Sequence, residues 1–138
     1  MDQSIFKSIA LIIISLLCNN LLVAQRSSDL MQQGSAKFEK GQIKEAIEDF
    51  SKVIYASDAY QVDALLNRGL CYAQLNQLDD AIADFSRAID LAPDFAPPYF
   101  NRGLARLQKN EWKAAHRDFT ITIDLAPNDV EAYLYRGI

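Results

Sequence analysis

Asn67-Arg68-Gly69-Leu70 returns 34 residues later as Asn101-Arg102-Gly103-Leu104, and Ala88-Ile89-Asp90-Leu91-Ala92-Pro93 is echoed by Ile123-Asp124-Leu125-Ala126-Pro127. Outward from these tetrads, Gly34, Gly69, Gly103 and Gly137 stand at intervals of 35, 34 and 34 residues, and they are four of the chain's five glycines. A glycine inside a helix costs about 1 kcal/mol relative to alanine, so four on one period need a shared packing reason. Ala46, Ala81 and Ala115 keep the same period, each followed four residues later by Phe50, Phe85 or Phe119. A repeat of this length marks units that stack to bury one continuous core, and such stacks work by presenting a surface to a partner.

Each unit divides into two amphipathic patterns of about a dozen residues. Leu65, Gly69 and Tyr72 share one helical face, and Leu78, Ala81, Ile82, Phe85, Ala88 and Ile89 form a second stripe of the same period. Between the two patterns stand Gly41, Asn76 and Asn110, residue types that accept the left-handed conformation closing a helix. Between units, Pro93 and Pro127 end the second helix. Pro97-Pro98 suits the first turn of the next helix, where the missing N–H does no harm. Asn128 with Glu131 is expected to cap the last helix as a capping box. At the first junction Asp58 stands where proline is expected, and one extra residue between Tyr55 and Gln61 accounts for the 35-residue interval.

These positions resemble the tetratricopeptide repeat family, whose signature runs from a large residue through Leu-Gly, an aromatic, a small residue and Ala-x3-Phe to a closing proline. Leu65, Gly69, Tyr72, Ala81, Phe85, Ala88 and Pro93 match in the second unit, and Tyr99, Gly103, Ala115, Phe119 and Pro127 in the third. Arg68 and Arg102 replace the usual leucine, and Lys37 and Arg106 the second aromatic. The resemblance implies an all-α, right-handed α-solenoid with repeats at 27–61, 62–95 and 96–129 and a partial fourth at 130–138. It also implies that glycine and alanine let paired helices approach closely while phenylalanine fills the gap between units. Gly103→Leu is then expected to unfold the array by overpacking.

The N-terminus is a separate object. Lys7 precedes the apolar run from Ile9 to Leu17, and Leu22-Val23-Ala24 ends in a small residue before Gln25. Charged, apolar and cleavable parts in this order make residues 1–24 a signal peptide cut after Ala24, with the repeat domain at 25–138 and export to periplasm, cell envelope or exterior. A retained signal anchor and a lipid anchor at Cys18 are the alternatives; Leu17 stands where a lipoprotein signal expects a small side chain. Removal of Cys18 leaves Cys71 alone, so no internal disulfide is expected. The formal charge of −4 and the absence of a basic cluster argue against nucleic acid as a partner.

Residues capable of chemistry fall on structural positions of the repeat. His116 takes the place of Ile47 and Ile82 and has no second histidine or usable cysteine to ligate a metal with. Trp112 takes the place of Ile43 and Leu78 and is expected in the core; Cys71 takes a small packed position, with a buried and inert thiol. Asp49, Asp84 and Asp118 precede the repeat phenylalanines, and Arg68, Arg102 and Arg136 precede repeat glycines. They are expected to form ion pairs bridging helices, Asp84 with Arg102 among them. No nucleotide-binding loop, nucleophile elbow or metal-ligand pairing is visible, so no catalytic residue, cofactor, metal or small-molecule substrate is expected.

In the family, first helices line a concave groove that receives a peptide or extended protein segment. Carried onto this chain, the groove is Asp63, Leu66, Leu70, Ala73 and Gln74 in the second unit, and Pro97, Phe100, Leu104, Leu107 and Gln108 in the third. Helical spacing independently turns Leu66, Leu70 and Ala73 roughly 100 degrees away from the core stripe. Leu66, Leu70, Phe100 and Leu104 are the apolar anchors, and Gln74 and Gln108 can bond a peptide backbone; packing against adjacent helices alone is the competing account. Some members clamp an acidic peptide terminus with lysine, arginine and asparagine. Asn67 and Asn101 match the asparagines, but Asp63, Leu66 and Leu70 leave no cation beside them, which disfavours acidic tails. The expected function is a non-enzymatic adaptor or scaffold, exported, with a protein or peptide partner. The alternative is the N-terminal repeat part of a longer envelope protein with an enzymatic or signalling domain. Self-association through the unfinished fourth unit is a third expectation.

Overall fold

In the computed structural model residues 3–56 and 59–137 are described, and no strand occurs among them. Seven helices follow one another: α1 (Gln3–Glu39), α2 (Ile43–Ala56), α3 (Gln61–Gln74), α4 (Leu78–Leu91), α5 (Ala96–Gln108), α6 (Trp112–Leu125) and α7 (Val130–Arg136). Each packs on the next in sequence, and α3 also touches α1 and α5. The first helices therefore form one layer and the second helices another, as a right-handed α-solenoid requires.

One turn joins the two helices of a unit, and it occurs three times. Gly41, Asn76 and Asn110 have φ of 75°, 59° and 61°. The residue after each donates its N–H back to a helix carbonyl: Gln42 to Lys37 at 2.9 Å, Gln77 to Tyr72 at 2.8 Å and Glu111 to Arg106 at 2.9 Å. Carbonyls left over at the helix end are thereby satisfied, as in a Schellman closure. Between units, Phe95 donates to the Ala92 carbonyl at 3.1 Å and Asp129 to that of Ala126 at 3.0 Å. Tyr99 ties the first of these turns to α5 by donating its hydroxyl to the Pro93 carbonyl at 3.0 Å. Pro97 and Pro98 lie in the first turn of α5.

The glycine period has its physical cause in the phenylalanines. A Cβ on Gly34, Gly69 or Gly103 would stand 2.7, 2.5 or 2.7 Å from the ring of Phe50, Phe85 or Phe119, closer than atoms pack. The ring thus seats on the glycine of its own unit as well as facing the next one. Phe50, Phe85 and Phe119 are among the largest fully buried side chains, with Leu65 and Val53. Gly137 differs: its Cβ would meet only carbonyls of α7, at 3.5 Å and beyond.

Two expectations are corrected here. Asp129, in extended conformation, caps α7, its carboxylate accepting from the Ala132 N–H at 3.0 Å. Asn128 lies one residue too early to reach that donor, and Glu131 falls within the first turn. Trp112 is not core: it opens α6 with 55% of its surface exposed. Its counterparts Ile43 and Leu78 pack in clusters containing Cys71 and Ala105 of the following first helix. The expectation at Asp58 lies outside the described residues.

Helix α1 runs without a break across Ala24 and Gln25, and its buried residues, Ser27 and Gly34, both lie after that point. It alone among the described residues is long and apolar enough to cross a membrane, a property signal sequences share.

Candidate functional site

The inner layer carries the predicted groove residues. Asp63, Gln74 and Gln108 are exposed, while Leu66, Leu70, Phe100 and Leu104 are half-buried. Leu66, Leu70 and Ala73 lean on the buried cluster of Ala81, Phe85 and Ala105, so each of these side chains serves the core with one edge and offers the other to solvent. Phe100 is held by its edges: its centroid lies 5.7 Å from Phe119 and 5.9 Å from Tyr135, both T-shaped.

Between α1 and α3 the inner layer opens into a cavity of about 210 Å³ lined by Ser35, Phe38, Glu39, Phe50, Asn67 and Leu70. Of the ten groove residues expected from sequence, only Leu70 lines it. Ser35, Phe38 and Glu39 lie outside the expected groove, which covers the second and third units alone. The signal was available: they hold the register of Leu70, Ala73 and Gln74, and of Leu104, Leu107 and Gln108, one period earlier.

The electrostatics of this layer follow from buried ion pairs behind it. Arg68 donates from Nε and Nη2 to both carboxylate oxygens of Asp84 at 2.7 Å, and from Nη1 to Ser51 Oγ of the preceding unit at 2.9 Å. Arg102 repeats the arrangement, with Asp118 at 3.1 and 2.8 Å and Ser86 Oγ at 3.0 Å. The expected pairing of Asp84 with Arg102 is therefore corrected. Sixteen residues separate the partners in each unit, which brings them across one hairpin, and the contact between units goes through serine. Arg106 also donates to Asp118, at 2.7 Å. In the first unit, where Gln33 precedes the glycine, Asp49 takes Lys37 and Lys52 instead. The hydrogen bond to Asp84 holds the Arg68 guanidinium above its ordinary pKa, against the opposing effect of burial.

The second candidate surface is at the C-terminal end, where a recess of about 410 Å³ is lined by Leu107, Trp112, His116, Tyr135 and neighbouring cations. His116 is exposed there, and no group of three metal-ligating side chains exists among the described residues. Cys71 is fully buried, and burial pushes its thiol up to about 11, which keeps it protonated and unreactive. Nothing among these groups pairs a nucleophile with a base.

Stacked helix hairpins whose first helices form one partly apolar layer define a protein-interaction scaffold of the helical-repeat class. The chain carries tetratricopeptide repeats: residues 30–60 and 62–95 each match a model described as tetratricopeptide repeat. No curated protein shows significant similarity to the chain. Among solved structures, the first such domain of Spaghetti (RPAP3), bound to the HSP90 peptide SRMEEVD, is 27% identical with a TM-score of 0.77, over 82% of this chain and 89% of that one. The first such domain of human RPAP3 is 28% identical at a TM-score of 0.76, over 81% and 87%. The Arabidopsis OM64 domain, 21% identical at a TM-score of 0.79 over 83% and 94%, shares the fold.

Proposed function

We propose that the chain is an exported, non-enzymatic adaptor whose concave layer receives a peptide or an extended segment of another protein. One observation carries the reading: the cavity between Phe38 and Leu70 lies on the inner layer, at the register where half-buried apolar side chains recur in each unit. The Spaghetti domain was solved with a peptide bound, and its likeness to this chain supports peptide binding here. Because Leu70 also leans on the core and Leu104 is half-buried, the test uses a side chain of similar size: Leu70→Gln with Leu104→Gln should abolish capture of envelope proteins while leaving far-ultraviolet circular dichroism unchanged. Undiminished capture refutes the groove.

For export, the cut after Ala24 is supported by the buried positions of α1, which all follow it. Residues 25–39 then give a first helix close in length to α3 and α5, of 14 and 13 residues. Mass spectrometry of the protein from an exporting host should find Gln25 at the N-terminus; an intact Met1 form in the membrane fraction refutes cleavage.

A further inference from the structure

Five cations on the first helices or directly after one are engaged toward the second helices, while the acids Glu39 and Asp63 of the first-helix layer are not engaged. Lys37 is bonded to Asp49, Arg68 to Asp84, Arg102 and Arg106 to Asp118, and Lys109 to Asp79 and Glu111. Each of these is a first-helix cation, or the residue directly after that helix, turned toward a second helix. Glu39, which lines the cavity, and Asp63, on the α3 stripe of Leu66, Leu70 and Gln74, hold no ion pair among the described residues and face solvent. Asn67 adds a neutral amide to the cavity wall. A peptide ending in carboxylates would meet Glu39 with no cation among the residues that line the cavity, and like charges at close range cost affinity in the absence of a partner. A lysine or arginine beside the recess would pair with Glu39, and one about two turns along α3 with Asp63, while a neighbouring apolar side chain fills the recess between Phe38 and Leu70.

We propose that this groove takes an internal segment bearing an apolar side chain next to lysine or arginine, and rejects acidic carboxyl-terminal tails such as SRMEEVD. The proposal rests on the groove being a peptide site at all. Two fluorescein-labelled probes separate the questions: SRMEEVD itself, and the amidated SRMKKVK, which keeps methionine and valine but reverses the charges. Anisotropy with the full chain in neutral detergent at 0.15 M salt should show the cationic probe binding at least about tenfold tighter, a difference of about 1.4 kcal/mol. Glu39→Lys with Asp63→Lys should erase that preference. Glu48→Lys with Asp90→Lys, an equal charge change on exposed positions of the second helices, should leave most of it, because salt screens distant charges. Tighter binding of SRMEEVD overturns the proposal and leaves the groove reading standing. Equal losses in both charge-reversal variants overturn it too, since attraction to net charge alone then explains the preference. Binding of neither probe overturns it together with the groove reading.

Discussion

Gly69→Ala sets two known effects against each other, and the packing decides the sign. Alanine is favoured over glycine in a helix by about 1 kcal/mol, so on local grounds the variant gains stability. Its Cβ, however, would stand 2.5, 2.8 and 3.0 Å from Cε1, Cδ1 and Cζ of Phe85, and that ring is completely buried. Forcing a methyl into a filled core costs about 1–3 kcal/mol, and three ring atoms at such distances place this case in the upper half of the range. The net expectation is a loss of about 1–2 kcal/mol. With a urea dependence of about 2 kcal/mol per molar, the unfolding midpoint followed by circular dichroism should fall by about 0.5–1 M. Combining Gly69→Ala with Phe85→Leu removes the clashing ring atoms, so the double variant should be more stable than the two single costs add up to. Gly137→Ala, with its nearest neighbour at 3.5 Å, should lose nothing. A Gly69→Ala protein as stable as the parent, or additive costs in the double variant, would refute the account of the period.

Asp84→Asn should cost about 3 kcal/mol because it strands the nearly buried Arg68, and it should couple with Arg68→Met by at least about 1 kcal/mol while adding simply to Arg102→Gln; urea midpoints of the set decide. Burial works to raise the Asp49 carboxyl, but bonds and charge from Lys37 and Lys52 outweigh it and hold it below the usual carboxylate range. Such a group stabilises above its unfolded value of about 3.9 and loses that contribution as pH falls through its lower folded value, so Asp49→Asn should flatten the acid limb of midpoint against pH below about 4. In a Cys18→Ser background, Cys71 should react with Ellman's reagent at pH 8 only as fast as the fold opens; modification within the mixing time refutes its burial.

The repeat and its hairpins were legible because they rest on one-residue necessities. Only glycine admits the phenylalanine ring, and Gly41, Asn76 and Asn110 tolerate a positive φ where most residues are strained. Partnership and exposure were less legible. The period placed Asp84 and Arg102 in register without saying that the contact crosses one hairpin rather than the gap between units; the serines at 51 and 86 that complete each clamp recur on the period and went unread. Trp112 read as core because its counterparts Ile43 and Leu78 are packed by Cys71 and Ala105 of the following first helix. Burial at that position belongs to the neighbour and not to the residue. The cap of α7 turned on a single residue of phase between Asn128 and Asp129, finer than helical periodicity resolves.

The groove was the least legible part, and the reason is physical. Leu66 and Leu70 are half-buried, so the pattern that marks them as core and the pattern that marks them as surface coincide on the same side chains. What separates scaffold from site is charge, and charge is settled by the ion pairs behind the groove. In each unit the carboxylate before the phenylalanine binds a first-helix cation: Lys37, Arg68 or Arg102. Those bonds join the two helices of a unit, and through Ser51 and Ser86 they also join one unit to the next. Arg68 so held cannot turn toward a ligand without leaving the buried Asp84 unpaired, at a cost of several kcal/mol, and Lys37 and Arg102 would each give up a bond to a buried carboxylate. Stability of the stack and the chemistry of its concave face are therefore one choice. Arginine and lysine engaged in the hairpins leave the inner layer to leucine, phenylalanine, amides and the acids Glu39 and Asp63.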